Sequence, residues 1–313
     1  VTDHAQNRIW LIKVILAFAA VYLIWGSTYL AIQIAIKTLP IFLMAGFRFL
    51  LAGSVLYALF SRSAAKPTAA QWRLAMLVGG LLLLGGNGLV CFGQQNVPSG
   101  LAALLVSSLP LWMAVINWMF FGGSKPTWLT LISVCLGLSG VVMLMGGSQL
   151  RAEPDKYIYA LAVFLAPVSW AFGSLRSRQG GLPKSPWLST AMQMICGGAL
   201  LLIVGLVRGE AANIDFATFS TESVVAFLYL IVFGSLIAFT AFVWLLQNVE
   251  PDRVATYAFV NPVVAVLLGW LIADEQITGW QVPGMIMVIG AVAMLVLSPK
   301  PRARIPFIPG APR

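Results

Sequence analysis

Long apolar runs separated by short polar interruptions dominate the chain, and their lengths predict its elements. Ten such runs fall at 11–36, 40–60, 74–93, 98–121, 127–147, 157–177, 186–207, 223–247, 252–273 and 277–298. A helix that crosses a bilayer needs about 20 predominantly apolar residues, and each run is near that length. Inside the runs apolar residues follow one another without alternating with polar ones, which argues for helices and against a barrel. From Leu74 to Ser124 there is no charged residue, a stretch long enough for two spans and a turn. The breaks are brief, as at Val97-Pro98-Ser99 and Ser124-Lys125-Pro126. The expected fold class is an all-α integral membrane protein with ten transmembrane helices.

The pattern also repeats. Gln95-Asn96-Val97, Pro110, Trp118 and Trp128 recur as Gln247-Asn248-Val249, Pro262, Trp270 and Trp280 at a single offset of about 152 residues. Ala103 and Ala255 keep the same step. The chain therefore divides into a five-helix repeat at 1–150, a second at 151–300, and a basic tail at 301–313 that reads as disordered. An odd number of spans per half makes the second half enter the membrane from the opposite side. That predicts inverted repeats around a central cavity, with a substrate site near the bilayer midplane. Pro110 and Pro262 each fall within an apolar helix, where proline removes a hydrogen bond and kinks the chain, so they are candidate hinges.

Charge settles the class and the orientation. Only 9% of the 313 residues are charged and 60% are hydrophobic, whereas a soluble domain is about 25% charged. With the N-terminus inside, the cytoplasmic side holds Arg8, Lys13, Arg62, Lys66, Arg73, Lys125, Arg176, Arg178, Lys184, Arg253, Lys300, Arg302, Arg304 and Arg313, fourteen in all. The outer side holds four, namely Lys37, Arg151, Lys156 and Arg208. That asymmetry places both termini in the cytoplasm. The net charge of +9 is then a topology signal that needs no nucleic-acid partner, while the tail is suited to touch anionic membrane lipid. The first apolar run is too long for a cleavable signal, and no A-x-A site follows it.

Enzymatic chemistry finds little support. His4, in the N-terminal tail, is the only histidine, which excludes a Ser/His dyad. No buried His or carboxylate cluster offers a metal site. Cys91, Cys135 and Cys196 are scattered through apolar runs and read as small packing residues. No cofactor is expected. A channel would want charged rings or a carbonyl filter, and a scaffold would not need inverted repeats. Nothing in the pattern sets an oligomeric state.

Arg48 is the one charge inside a span, roughly 12 Å from the outer end at Pro40. An intramembrane charge is functional by default; direct substrate contact and a structural or gating role are both open to it. Trp25 and Trp170 lie near the middle of the first and sixth spans, away from the interfaces where membrane tryptophans gather. They read as pocket walls, with Trp112, Tyr257 and Trp244 as further candidates. Ser27, Asn87, Ser107, Ser174 and Asn261 place neutral polar groups at mid-depth. There they can bond neighbouring helices or meet the ammonium and carboxylate of an amino acid.

Trp25-Gly26-Ser27-Thr28-Tyr29 resembles the "WGS" signature of the EamA-type exporters in the drug/metabolite transporter superfamily. Phe47-Arg48-Phe49 resembles their "FRF", and Val260-Asn261-Pro262 with the Asp274-Glu275 turn resembles their paired ninth and tenth helices. Members often carry a glutamate in both halves at the turn after the proline helix. Here Glu275 is matched by Gly123, so a symmetric role for it is not expected. The resemblance covers nearly the whole chain. It implies export of small metabolites, commonly amino acids, across the bacterial inner membrane by alternating access. Drug, nucleobase and sugar exporters share the same frame. The expected cavity lining is Trp25, Ser27, Tyr29, Asn87, Ser107, Trp112, Trp170, Ser174, Trp244, Tyr257 and Asn261. The expected gating residues are Pro110, Pro262, Arg48 and Glu275. A proton-coupled carrier usually has an intramembrane Asp, Glu or His. None is evident, so facilitated diffusion or exchange is expected.

Overall fold

The computed structural model describes residues 2–62, 64–97, 99–144, 157–273, 279 and 281–297, and every regular element among them is helical. In order these are α1 (Thr2–Ala35), α2 (Ile41–Phe60), α3 (Ala69–Gly93), α4 (Ser99–Val106), α5 (Leu109–Phe120) and α6 (Trp128–Leu144). There follow α7 (Tyr157–Arg178), α8 (Pro186–Val207), α9 (Thr221–Asn248), α10 (Pro251–Val254), α11 (Tyr257–Ala273) and α12 (Gln281–Leu297). Seven segments, one of them crossing the α4–α5 break, are long and apolar enough to span a membrane. The runs at 127–147, 252–273 and 277–298 hold shorter helices, α6, α11 and α12, of 17 residues each. The linker at 148–156 and the tail at 301–313 lie outside the described residues.

Local chemistry sets the helix ends. Thr68 and Gln71 form a capping box at the start of α3. Ser185 accepts from the Leu188 amide ahead of Pro186, which supplies the fixed φ a first turn needs. Ser220 caps α9 in the same way through Ser223. Gly209, with φ of 75°, takes the left-handed conformation that closes α8.

Two features were not expected. First, α3 and α9 each contain a π-helical stretch, Gly80–Gly88 and Leu230–Phe239. Displaced by the repeat offset of about 152 residues, the first overlaps the second. Such wide turns recur at functional sites. Second, Pro110 does not kink a continuous helix. The chain breaks in a turn at Ser107-Ser108, and Pro110 sits in the first turn of α5, where its missing N–H costs no helix bond. Pro262 does lie inside a helix, α11.

The two halves pack across one another. α2 lies along α8 and α6 along α12. Glycines bring the backbones together: a Cβ at Gly198 would stand 2.8 Å from the Leu50 nitrogen, and one at Gly140 would stand 2.8 Å from the Gly284 oxygen. In lipid this close approach drives helix association, since tails are as apolar as leucine. α1 packs on α9 and α11, while its counterpart α7 packs on α3, α4 and α5. Exchanging the halves therefore maps one set of contacts onto the other. Outward-facing Leu23, Leu30, Leu59 and Ile203 remain exposed, as lipid-facing side chains must.

Candidate functional site

Where α1, α2, α3, α7, α9 and α11 meet, the two halves enclose a cavity. The space open to the centre of a water molecule is about 70 Å³. One water needs about 10–15 Å³ on this measure, so the space is enough for a few waters.

Its floor is aromatic. Trp25 of α1 meets Trp170 of α7 edge to face at 5.5 Å, Tyr257 of α11 at 4.9 Å and Phe242 of α9 at 5.0 Å between ring centroids. The Trp25 indole N–H donates to the Gly234 carbonyl at 3.2 Å, inside the π-helical stretch of α9. Across the cavity, the π-helical stretch of α3 brings Gly86 against the Trp170 ring, where a side chain would collide. The adjacent Ser169 hydroxyl donates to the Leu81 carbonyl at 2.8 Å and pins α7 there.

The polar part is sparse. Arg48 of α2 is 3% exposed. Its Nε donates to the Ser235 hydroxyl at 2.8 Å, and its guanidinium carbon lies 4.5 Å from the Phe49 ring centroid. Its Nη1 and the Trp170 Nε1 are buried donors without a partner among the described residues. The Cys91 thiol donates to the Asn87 amide oxygen at 3.5 Å. With its amide oriented to satisfy its neighbours, Asn261 donates to the carbonyls of Tyr257 and Tyr22 at 3.0 and 3.3 Å. No Asp or Glu is among the lining residues, and no three His, Cys, Asp or Glu side chains converge among the described residues.

Of the expected residues, Trp25, Tyr29, Asn87, Trp170, Tyr257 and Asn261 line this cavity together, and Arg48 joins them. The others lie elsewhere. Ser27 donates to the Ile24 carbonyl and bonds the Tyr229 hydroxyl, Ser107 donates to the Ala103 and Ala258 carbonyls, and Ser174 donates to the Trp170 carbonyl. Trp112 packs on Phe164 at 5.9 Å, and Trp244 borders a separate groove beside Lys13 and Trp187. Pro110 and Pro262 stand one residue away, behind the lining residues Leu109 and Asn261. Glu275 lies outside the described residues. The lining also includes Thr28, Phe49 and Pro167, and with them Gly86, Gly234 and Phe239, which no sequence signal marked.

Polar contacts tie helix ends together at both ends of the bundle. On the face that charge assigns to the outside, the Glu210 carboxylate accepts from the Phe42 and Leu43 amides at 3.0 Å each, at the start of α2. There Arg208 also lies over the Phe42 and Phe92 rings, 5.5 and 5.3 Å from their centroids. On the opposite face, Arg178 pairs with Glu250 at 3.1 Å and donates to the Val249 carbonyl at 2.7 Å.

With this geometry in view, similarity to known proteins is informative. A family model described as EamA-like transporter family matches twice, at residues 12–146 and 157–297. The uncharacterized inner membrane transporter YedA of Escherichia coli K12 is 37% identical over 283 residues, covering 90% of each chain. The uncharacterized transporter YoaV of Bacillus subtilis 168 is 25% identical over 270 residues, 86% of this chain and 91% of that one. A solved crystal structure superposes with a TM-score of 0.73 at 18% identity, over 91% of this chain and 96% of that one, and so shares the fold.

Proposed function

The chain belongs to the EamA-like transporter family, and on that premise we propose that it exports amino acids with aromatic or apolar side chains from the bacterial cytoplasm by alternating access. The observation that carries this reading is the Trp25–Trp170 pair, set at 5.5 Å with one ring from each half and both on the wall of the same cavity. Aromatic faces bind varied apolar side chains with little demand on shape. The neutral polar groups beside them suit a zwitterion.

In this reading the chain forms ten spans in two inverted repeats, with both termini in the cytoplasm. The exchange of contacts between halves supports this arrangement, as do the overlapping π-helical stretches and the double family match. Substrate then enters when the contacts at one end of the bundle open while those at the other hold. The relatives are themselves named transporters, which supports carriage.

Counterflow tests the proposal. Proteoliposomes loaded with unlabelled phenylalanine or leucine are expected to accumulate labelled amino acid transiently from outside. Counterflow with nucleobase, sugar or drug loads, and none with amino acids, would overturn the substrate assignment. No counterflow with any load would overturn transport in favour of a scaffold.

A further inference from the structure

Arg48 is the cavity's one formal charge, and its environment is incomplete. The guanidinium is buried and makes one hydrogen bond among the described residues, from Nε to the neutral Ser235 hydroxyl. It forms no ion pair among those residues. Phe49 covers one of its faces. The Nη edge is only partly covered: Nη2 packs against Gly234, where a Cβ would stand 2.8 Å from it, and the buried Nη1 has no partner among the described residues. A glycine at that position is what lets the guanidinium sit in the cavity wall. A buried cation without an anion is held at a cost, which a well-placed anion offsets. A guanidinium edge is also the group best shaped to take a carboxylate through two parallel hydrogen bonds.

We propose that Arg48 anchors the carboxylate of the transported substrate through its Nη edge. The aromatic floor of Trp25 and Trp170 then takes the side chain. This goes beyond the reading above, on which it rests, because it makes the carboxylate obligatory. Amines and amides with the same side chain are excluded, since they leave the guanidinium buried and uncompensated. Ser235 acts as a positioning residue: it holds Nε and so fixes the guanidinium in the cavity wall. The π-helical stretch of α9 contributes both Gly234 and Ser235, which gives that wide turn a role in recognition.

A merely structural arginine, tying α2 to α9 through Ser235, would make a different prediction, and binding measurements separate the two. The probes are L-phenylalanine and L-phenylalaninamide, which share the side chain and ammonium and differ in the carboxylate. Titration calorimetry on the purified full chain is expected to show the acid bound at least about tenfold more tightly than the amide. In Arg48→Gln that ratio is expected to fall to within about twofold, with amide affinity held within about threefold of wild type. Ser235→Ala keeps the charge and loses the hold on Nε. Its ratio is expected to drop by about threefold or more, and it decides the matter if Arg48→Gln does not fold.

A wild-type ratio near one overturns the proposal. So does an equal weakening of both probes in Arg48→Gln, or an unchanged ratio in Ser235→Ala. Counterflow of both probes separates the two readings. If acid and amide exchange at equal rates, amino-acid carriage stands and the Arg48 anchor falls. If neither exchanges while a nucleobase or sugar does, both fall.

Discussion

Trp25 and Trp170 meet edge to face across the seam between the two halves, their ring centroids 5.5 Å apart and their planes at 85°. The two indoles are held differently. Trp25 spends its N–H on the Gly234 carbonyl, whereas the Trp170 N–H is buried without a partner among the described residues. One ring is therefore tied into the scaffold, and the other, on the proposed function, has its donor free for the substrate.

That contrast predicts opposite outcomes for the same substitution. Trp25→Phe loses a buried hydrogen bond and should cost about 1 kcal/mol of stability, read as a lower melting temperature in detergent. Trp170→Phe has no such bond to lose. It should leave stability nearly unchanged while weakening amino-acid binding several-fold. Equal effects on stability from the two variants would contradict this assignment.

Gly86 gives a second prediction. Its position faces the Trp170 ring at a separation that leaves no room for a methyl group. Gly86→Ala should push the indole out of the cavity and lower the initial counterflow rate by about tenfold or more, since small misplacements in a binding site are costly. A wild-type rate would mean that the ring moves freely.

How much of this was legible in the sequence depends on what membrane burial hides. Trp25 and Trp170 could be singled out because tryptophan at mid-depth departs from its interfacial habit. Arg48 could be found because an intramembrane charge is rare. Its place in the cavity wall depended on the π-helical stretch of α9, which no residue pattern announces. Phe239 and Gly86 were invisible for another reason. A helix with lipid on one side and protein on the other is apolar all round, so no amphipathic stripe marks the inner face. Ser174 and Ser107 misled because a mid-depth serine can satisfy itself on the preceding turn's carbonyl, as both do. Trp112 does not line the cavity, because its ring packs edge to face against Phe164 instead.

The prolines, which the repeat treats as equivalent, should behave differently. Pro110 opens α5 after a turn and costs no helix bond, whereas Pro262 interrupts the bonding inside α11. Pro262→Ala should straighten α11 and slow turnover more than it weakens binding. Pro110→Ala should change turnover by less than about twofold, since its helix start tolerates other residues. Measured turnover in proteoliposomes would contradict this if Pro110→Ala proved the more damaging.

The lining makes a prediction about energy coupling. No Asp, Glu or His is among the described residues that face the cavity, and arginine keeps its proton at neutral pH. A zwitterion carries no net charge, so its movement does no work against the membrane potential. With equal amino acid inside and out, an imposed pH gradient should produce no net accumulation. Uphill movement that collapses with a protonophore and disappears in Glu275→Gln would identify a proton carrier instead.

The central claim is that the cavity between the halves opens to each side in turn. Its most direct test is the labelling rate of Asn87→Cys, a cavity-lining position, in a chain whose own three cysteines are replaced by alanine. A membrane-impermeant thiol reagent is applied to right-side-out and to inverted vesicles. The label should reach the site from both faces, and substrate should protect it. Glu210→Ala removes the carboxylate that holds the start of α2, and Arg178→Ala removes the pair to Glu250. A hydrogen bond to a charged group contributes about 1.5–3 kcal/mol, and the half-exposed Arg178–Glu250 pair about 1 kcal/mol or less, so labelling from the matching face should rise about tenfold in Glu210→Ala and by about threefold in Arg178→Ala. For Glu210→Ala that face is the outside, and for Arg178→Ala it is the cytoplasmic side. Labelling from one face only, or equal increases from both faces in either variant, would contradict alternating access through this cavity.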